Sequence, residues 1–220
     1  MTTNTPSSEQ SSEHFGGSAS NELPVDIDEL RHEVQVKYAA VAIEPDADYH
    51  FHTGRYIAER CRYDMAAVNA LPEVAVESFA GVANPFEHRP LRTGERVVDL
   101  GSGAGMDSVL AANAVGDSGY VVGVDMTPAM LAKSRAVMRR LGLQDRMEFC
   151  HGHLEELPVA DGWADVVISN GVINLCPDKE AVLAEAFRVL RPGGHLQFAD
   201  IANGNPVPEE ARRHIDLWTG

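Results

Sequence analysis

From Arg96 onward, short apolar runs alternate with stretches whose apolar positions recur at helical spacing. "RVVDL", "GYVVGVD", "RMEFCHG", "ADVVISN" and "GGHLQFADI", each five to nine residues long, predict five short apolar strands. Between them, "GMDSVLAANAV", "PAMLAKSRAVMRRL" and "KEAVLAEAFRVL" predict helices. The second of these has Thr127 as its N-cap, Pro128 at its first position and Gly142 beyond its end; the third has Asp178 as its N-cap and stops before Pro192. Alternating strand and helix predict an α/β fold, a doubly wound parallel sheet of Rossmann-like type with five strands.

Upstream the pattern changes. Ile27, Leu30, Val34 and Val41 recur at helical spacing, whereas residues 45–94 are interrupted by Pro45, Pro72, Pro85 and Pro90 and predict short helices and loops. Residues 1–24 carry almost no large apolar side chain and no basic residue, a composition that predicts a disordered acidic tail. The expected organisation is therefore a tail over 1–24, a helical cap over 25–94 and a ligand-binding Rossmann-like domain over 95–220.

Composition narrows the function. At 220 residues and 44% hydrophobic, the chain can bury one sizeable core. Its formal charge of −15 argues against nucleic acid and against an anionic membrane surface as partner. No run of 18 apolar residues and no signal-peptide pattern appears. That leaves a small-molecule or protein partner, while three scattered cysteines, Cys61, Cys150 and Cys176, form no CxxC pair, which predicts a reducing cytoplasmic setting.

The candidate chemistry centres on "VVDLGSGAGMDS". Gly101, Gly103 and Gly105 follow the first strand and open a helix, where glycine permits tight turning and close backbone approach to a ligand. The spacing is G-x-G-x-G and not the G-x-G-x-x-G of dinucleotide sites. Asp99 stands two residues before the first glycine, where an acid would repel a pyrophosphate but suits a ligand with a positive charge. Asp125 ends the second strand, where a carboxylate either accepts both ribose hydroxyls or caps the next helix.

These residues resemble the class I S-adenosylmethionine-dependent methyltransferases over roughly residues 95–201. The resemblance implies that the Gly101–Gly105 turn faces the methionine part of S-adenosylmethionine, that Asp99 lies near its ammonium and that Asp125 holds the ribose. "CHGHLEELP" then corresponds to the adenine loop, with His153 where relatives often carry an acid and Leu154 beside it. The cofactor contacts implied are Tyr38, Asp99, Gly101, Ser102, Gly103, Gly105, Asp107, Asp125, Met126, His153, Leu154 and Asn170. Asn170, at the end of the fourth strand, is expected to border the methyl group. This fold normally ends with two more strands, in sheet order 3-2-1-4-5-7-6. With five strands here, the alternatives are that the fifth strand is an open edge, that the sequence is a truncated piece, or that a second copy or another partner covers the edge.

"SNGVINLCPDK", "GVDMTPAMLAKSR", "RVLRPGGHLQFADI", "ESFAGVANPF" and "VQVKYAAVA" look more narrowly like the arsenite methyltransferase group, in which the tyrosine corresponding to Tyr38 helps cover the cofactor. That group binds trivalent arsenic through three thiolates, soft ligands for a soft centre. Here the first matching stretch reads Gly81-Val82-Ala83 and the second position is Gly171; the third lies beyond Leu217-Trp218. The expectation is therefore an active methyltransferase for a small-molecule acceptor. The alternatives are an arsenite enzyme with a different thiol set, or a catalytically silent binding domain. A nicotinamide dehydrogenase is disfavoured by Asp99 and the glycine spacing.

Three further features need placing. Cys176, just after the fourth strand, reads as a nucleophilic thiol, a soft-metal ligand or a bystander in a cofactor-binding turn. His50-x-His52 and His151-x-His153 lack accompanying ligands at a zinc spacing, so no metal is expected. "FHTGR", residues 51–55, reads either as a lid with Arg55 reaching a substrate carboxylate or as a plain surface loop.

Overall fold

A computed structural model describes residues 26–202 and Gly204; the expected acidic tail lies outside these residues. Four helices precede the first strand: α1 (Ile27–Ile43), α2 (Gly54–Arg60), α3 (Met65–Asn69) and α4 (Glu73–Val76). Then β1 (Arg96–Leu100), α5 (Met106–Val115), β2 (Tyr120–Asp125), α6 (Pro128–Leu141), β3 (Met147–His151), β4 (Ala164–Asn170), a single 3-10 turn (Ile173–Leu175), α7 (Lys179–Val189) and β5 (Leu190–Ala199) follow in order.

All strand pairs are parallel, in the order β3-β2-β1-β4-β5. The order reverses between β1 and β4, and a doubly wound sheet opens its ligand crevice at the carboxyl ends of the strands at that point. Alternate residues of each strand face opposite layers. Val97, Val121, Phe149 and Ile168 pack with α5 and α6 on one face. Val98, Val122, Val124 and Val167 pack with Val182, Ala186 and Val189 of α7 on the other.

α6 begins at Pro128 and ends at Gly142, whose φ of 68° closes the helix in the left-handed conformation that glycine adopts without strain. Thr127 occupies the N-cap, but its hydroxyl makes no capping bond; Asp125 Oδ1 accepts the Thr127 N–H instead, at 2.7 Å. α7 has the expected cap, with Asp178 Oδ1 accepting from Ala181 N at 2.9 Å. The expected boundary after α7 is wrong. The helix ends at Val189 and β5 starts at Leu190, which pairs with Ala164 across an irregular register before His195 pairs with Val166. Pro192 thus sits within an edge strand, where a missing N–H is tolerated. Among the described residues, no strand pairs with the outer side of β5, and Phe187 and Phe198 are exposed.

The N-terminal helices pack over the carboxyl end of the sheet. α1 buries Leu30, Val34 and Val41 and lies against α6. Lys133 of α6 ties this arrangement together. Its ammonium donates to Ala42 O at the end of α1 (2.9 Å), to Ser78 Oγ beyond α4 (2.8 Å) and to Glu77.

Candidate functional site

The three glycines after β1 owe their small size to three different neighbours. All have positive φ: 69° at Gly101, 52° at Gly103 and 93° at Gly105. A Cβ on Gly101 would lie 2.5 Å from Val172 Cγ2, so this glycine admits a side chain from the loop after β4 and not a ligand. A Cβ on Gly105 would meet Phe149 and Ser134 at 3.0 and 3.1 Å, which is the close packing of turn against sheet and helix. Only Gly103 of the three has nothing within 4 Å. Open space where a side chain would stand is therefore found at Gly103 and not at the other two.

The turn is fixed from β2. Gly101 N and Ser102 N both donate to Val124 O, and Gly103 N donates to Asp125 Oδ2 at 2.8 Å. Both oxygens of Asp125 thus hold backbone N–H groups, which is a structural duty, and each keeps a further lone pair facing the requirements of a ligand. Burial raises the Asp125 carboxyl above its ordinary range.

A second wall comes from the cap. Asn170, at the end of β4, accepts from Val82 N (2.9 Å) and Ala83 N (3.3 Å). Its amide donates to Ala83 O (2.8 Å), Tyr63 Oη (2.9 Å) and Asp107 Oδ2 (3.1 Å). Tyr63 Oη in turn donates to Asp107 Oδ1 at 2.7 Å. Gly81 has to be small, because a Cβ there would lie 2.4 Å from Asn170 Nδ2. The result is a strap, residues 79–84, fastened to the carboxyl end of β4.

Between the walls lies a cavity of about 120 Å³. Eleven of the twelve residues expected at the site line it: Tyr38 from α1, Asp99, Gly101, Ser102, Gly103 and Asp107 from β1, the turn and α5, Asp125 and Met126 at the end of β2, His153 and Leu154 after β3, and Asn170 at the end of β4; Gly105 stands behind the turn. Gly105 is therefore a packing residue, set against Phe149 and Ser134. Burial pushes the Tyr38 phenol up to about 12, aided by the charges of Asp125 and Asp200, so it is a neutral donor. Asp99 and Asp107 are 3% and 7% exposed. Burial raises both carboxyls, Asp99 strongly and Asp107 to about 6; Asp107 also raises Asp99, and Ser108 Oγ, donating to Asp99, opposes the rise. The Ser102 hydroxyl is buried in the same wall without a hydrogen-bond partner.

Four residues of the site escaped the sequence reading. Tyr63 and Ser108 bond to the buried acids, Val172 fills the space above Gly101, and Arg31 reaches Glu155 at 3.4 Å where α1 crosses the loop after β3. Helical period places Ser108 near the turn, but Tyr63 carries no local signal.

The remaining candidates separate. Cys176 also lines the cavity, yet burial pushes its thiol up to about 12 and its Sγ rests 3.5 Å from Val172 O, so it supplies no thiolate. Arg55 does not line the cavity; it donates to Val68 O and pairs with Glu73 at 2.7 Å, which removes its reading as a ligand for a substrate carboxylate. His50 meets Lys37 Nζ at 2.6 Å and His52 packs edge-on against Tyr56, so the two rings do not face one point. The rings of His151 and His153 are 6.4 Å apart. The two positions where the resemblance leads one to look for thiols do come together: a Cβ on Gly171 would stand 3.0 Å from Val82 Cγ1. Neither carries sulfur.

Residues 91–218 match a family model described as a methyltransferase domain. The chain is 42% identical over 163 residues to an arsenite methyltransferase of Halobacterium salinarum, covering 74% of this chain and 41% of that protein. It is 43% identical over 155 residues to one of Aquipseudomonas alcaligenes, covering 67% of this chain and 43% of that protein. Among solved structures it resembles an arsenic(III) S-adenosylmethionine methyltransferase from Chlamydomonas reinhardtii, with a TM-score of 0.62 and 41% identity, covering 70% of this chain and 53% of that one. The chain therefore spans about two fifths of the length of these curated relatives.

Proposed function

The chain belongs to the methyltransferase-domain family, and from that premise we propose that it transfers a methyl group from S-adenosylmethionine to a small-molecule acceptor. The observation that carries this reading is the pairing of an open Gly103 with two buried carboxylates and an orphaned Ser102 hydroxyl around one cavity. Buried carboxylates call for a cationic ligand, and a buried hydroxyl calls for a hydrogen-bond partner. The donor groups present therefore fit the cofactor. Asp99 suits its ammonium, Asp125 its ribose hydroxyls, and His153 with Leu154 its adenine, with Tyr38 and Met126 closing the cavity from α1 and β2.

The bound sulfonium supplies an activated methyl group, so the hard chemistry is the cofactor's. The protein holds donor and acceptor in line and excludes water, an effect that is worth about 7–11 kcal/mol when the geometry is right. The helices before β1 act as the cap that does this, with the strap forming the wall nearest the acceptor. Arsenite is the acceptor in the names of the relatives above. For this chain we favour another acceptor, because Val82 and Gly171 bring no thiolate to the strap.

The same reading has the protein in the cytoplasm, consistent with three free cysteines and with no described helix long and apolar enough to cross a membrane. It also has a second copy or other partner covering the outer edge of β5.

Calorimetric titration with S-adenosylmethionine tests the cofactor. Binding at micromolar to millimolar concentration is expected, and no heat with a demonstrably folded protein overturns the reading. Labelled-methyl transfer across arsenite, selenite, thiols and phenols then identifies the acceptor class.

A further inference from the structure

Every group that bonds to the two buried carboxylates is neutral. Asp99 accepts from Ser108 Oγ, and Asp107 accepts from Tyr63 Oη and Asn170 Nδ2. Among the described residues no ion pair reaches either acid. Two ionised carboxylates in a dry wall without a cation are unfavourable unless they take up protons or a ligand brings positive charge. An independent sign that this wall awaits a ligand is Ser102, 7% exposed, lining the same cavity with a hydroxyl that has no partner.

The two acids occupy different places. Asp99 ends β1 beneath the glycine turn, whereas Asp107 lies in the first turn of α5, where the helix dipole favours an anion. Asp107 is bonded to Asn170, the residue that fastens the strap, so it belongs to the methyl-transfer end of the cavity. We propose that Asp107, oriented by Tyr63 and Asn170, is the counter-charge for the sulfonium. The site thereby prefers a cofactor with positive charge at the sulfur position over the neutral thioether left after transfer. This rests on the S-adenosylmethionine reading above. Tyr63 is then a positioning residue: it touches no ligand and acts by holding one oxygen of Asp107 as an acceptor.

The groups that face Asp107 are Asp99 from β1, Tyr63 from the segment after α2, with Cys61 beside it, and the neutral Asn170 from β4. Protonating Asp107 removes the counter-charge, so the preference fades as the pH falls.

The test is calorimetry on the full chain with three ligands: S-adenosylmethionine, S-adenosylhomocysteine, and sinefungin, which carries an amine where the sulfonium stands. The native protein at pH 8 is expected to bind both charged ligands about tenfold or more tighter than the neutral thioether. In Asp107→Asn that ratio collapses to within about threefold, with thioether affinity retained. In Tyr63→Phe the ratio shrinks less, and the pH at which it disappears moves upward, a change that a merely structural tyrosine would not produce. An unchanged ratio in Asp107→Asn, or equal weakening of all three ligands, overturns the inference. If Asp107→Asn does not fold, the Tyr63→Phe ratios decide. Absence of binding by any ligand to the native protein overturns the cofactor reading together with this one, whereas binding without charge preference overturns this one alone.

Discussion

The glycine turn after β1 closes through neighbours in sequence, with Gly103 reaching Asp125 22 residues on, whereas Asn170 on the facing wall reaches Val82 and Tyr63 across 88 and 107 residues. The near wall is backbone bonded to backbone and to one carboxylate, and its shape follows from three positive φ angles. The far wall is a strap held by one side-chain amide. A wall of the first kind leaves little room for variation. One of the second kind can change its residues while keeping its fastening, because Asn170 bonds to the backbone of Val82 and Ala83 and not to their side chains.

The largest effect is expected where the two walls touch. Gly101→Val places a β-branched side chain at φ 69° and against Val172, and should cost about 4 kcal/mol or more in urea unfolding. Trimming Val172 to Ala should recover part of that loss; no recovery would separate the walls energetically.

Asn170→Ala removes the fastening of the strap and leaves Asp107 with one donor fewer. A loss of about 2–3 kcal/mol is expected, and hydrogen exchange should accelerate at the Val82 and Ala83 amides but not at Gly101 and Ser102. Equal acceleration on both sides would break the contrast.

Next comes the charge the walls share. Burial lifts the Asp107 carboxyl to about 6 in the folded chain, above the ordinary value near 3.9 of an unfolded chain. Between those values the folded state binds the extra proton, so this group's contribution to stability declines as pH rises through the interval, by about 1–2 kcal/mol from pH 4.5 to 7. Denaturation of Asp107→Asn should lack that decline; a parallel pH profile would refute it. The smallest effect belongs to Gly171→Ala, about 1 kcal/mol for a side chain at φ 71° close to Val82. A Val82→Ala background should lessen it, as a double-mutant cycle would measure.

The near wall was legible in the sequence and the far wall was not, for the same reason. β1, α6 and β4 were readable to the residue because period, Pro128 and Gly142 all act locally. The glycine turn was readable as a ligand loop, although it does not say which glycine faces the ligand; that depends on Val172, Phe149 and Ser134, brought there by the fold. Tyr63 lies amid polar and alanine residues with no pattern around it, and its importance exists only once Asp107 and Asn170 arrive beside it. The start of β5 was misplaced because Pro192 reads as a helix stop, while an edge strand accommodates it equally well.

Lys133 carries a consequence for how the molecule comes apart. A single ammonium joins the end of α1 and the chain beyond α4 to a helix of the sheet layer. Unfastening the cap gives up three bonds to one ammonium at once, one of them the ion pair with Glu77. The cap and the sheet should therefore melt in one calorimetric transition, and Lys133→Met should split it in two.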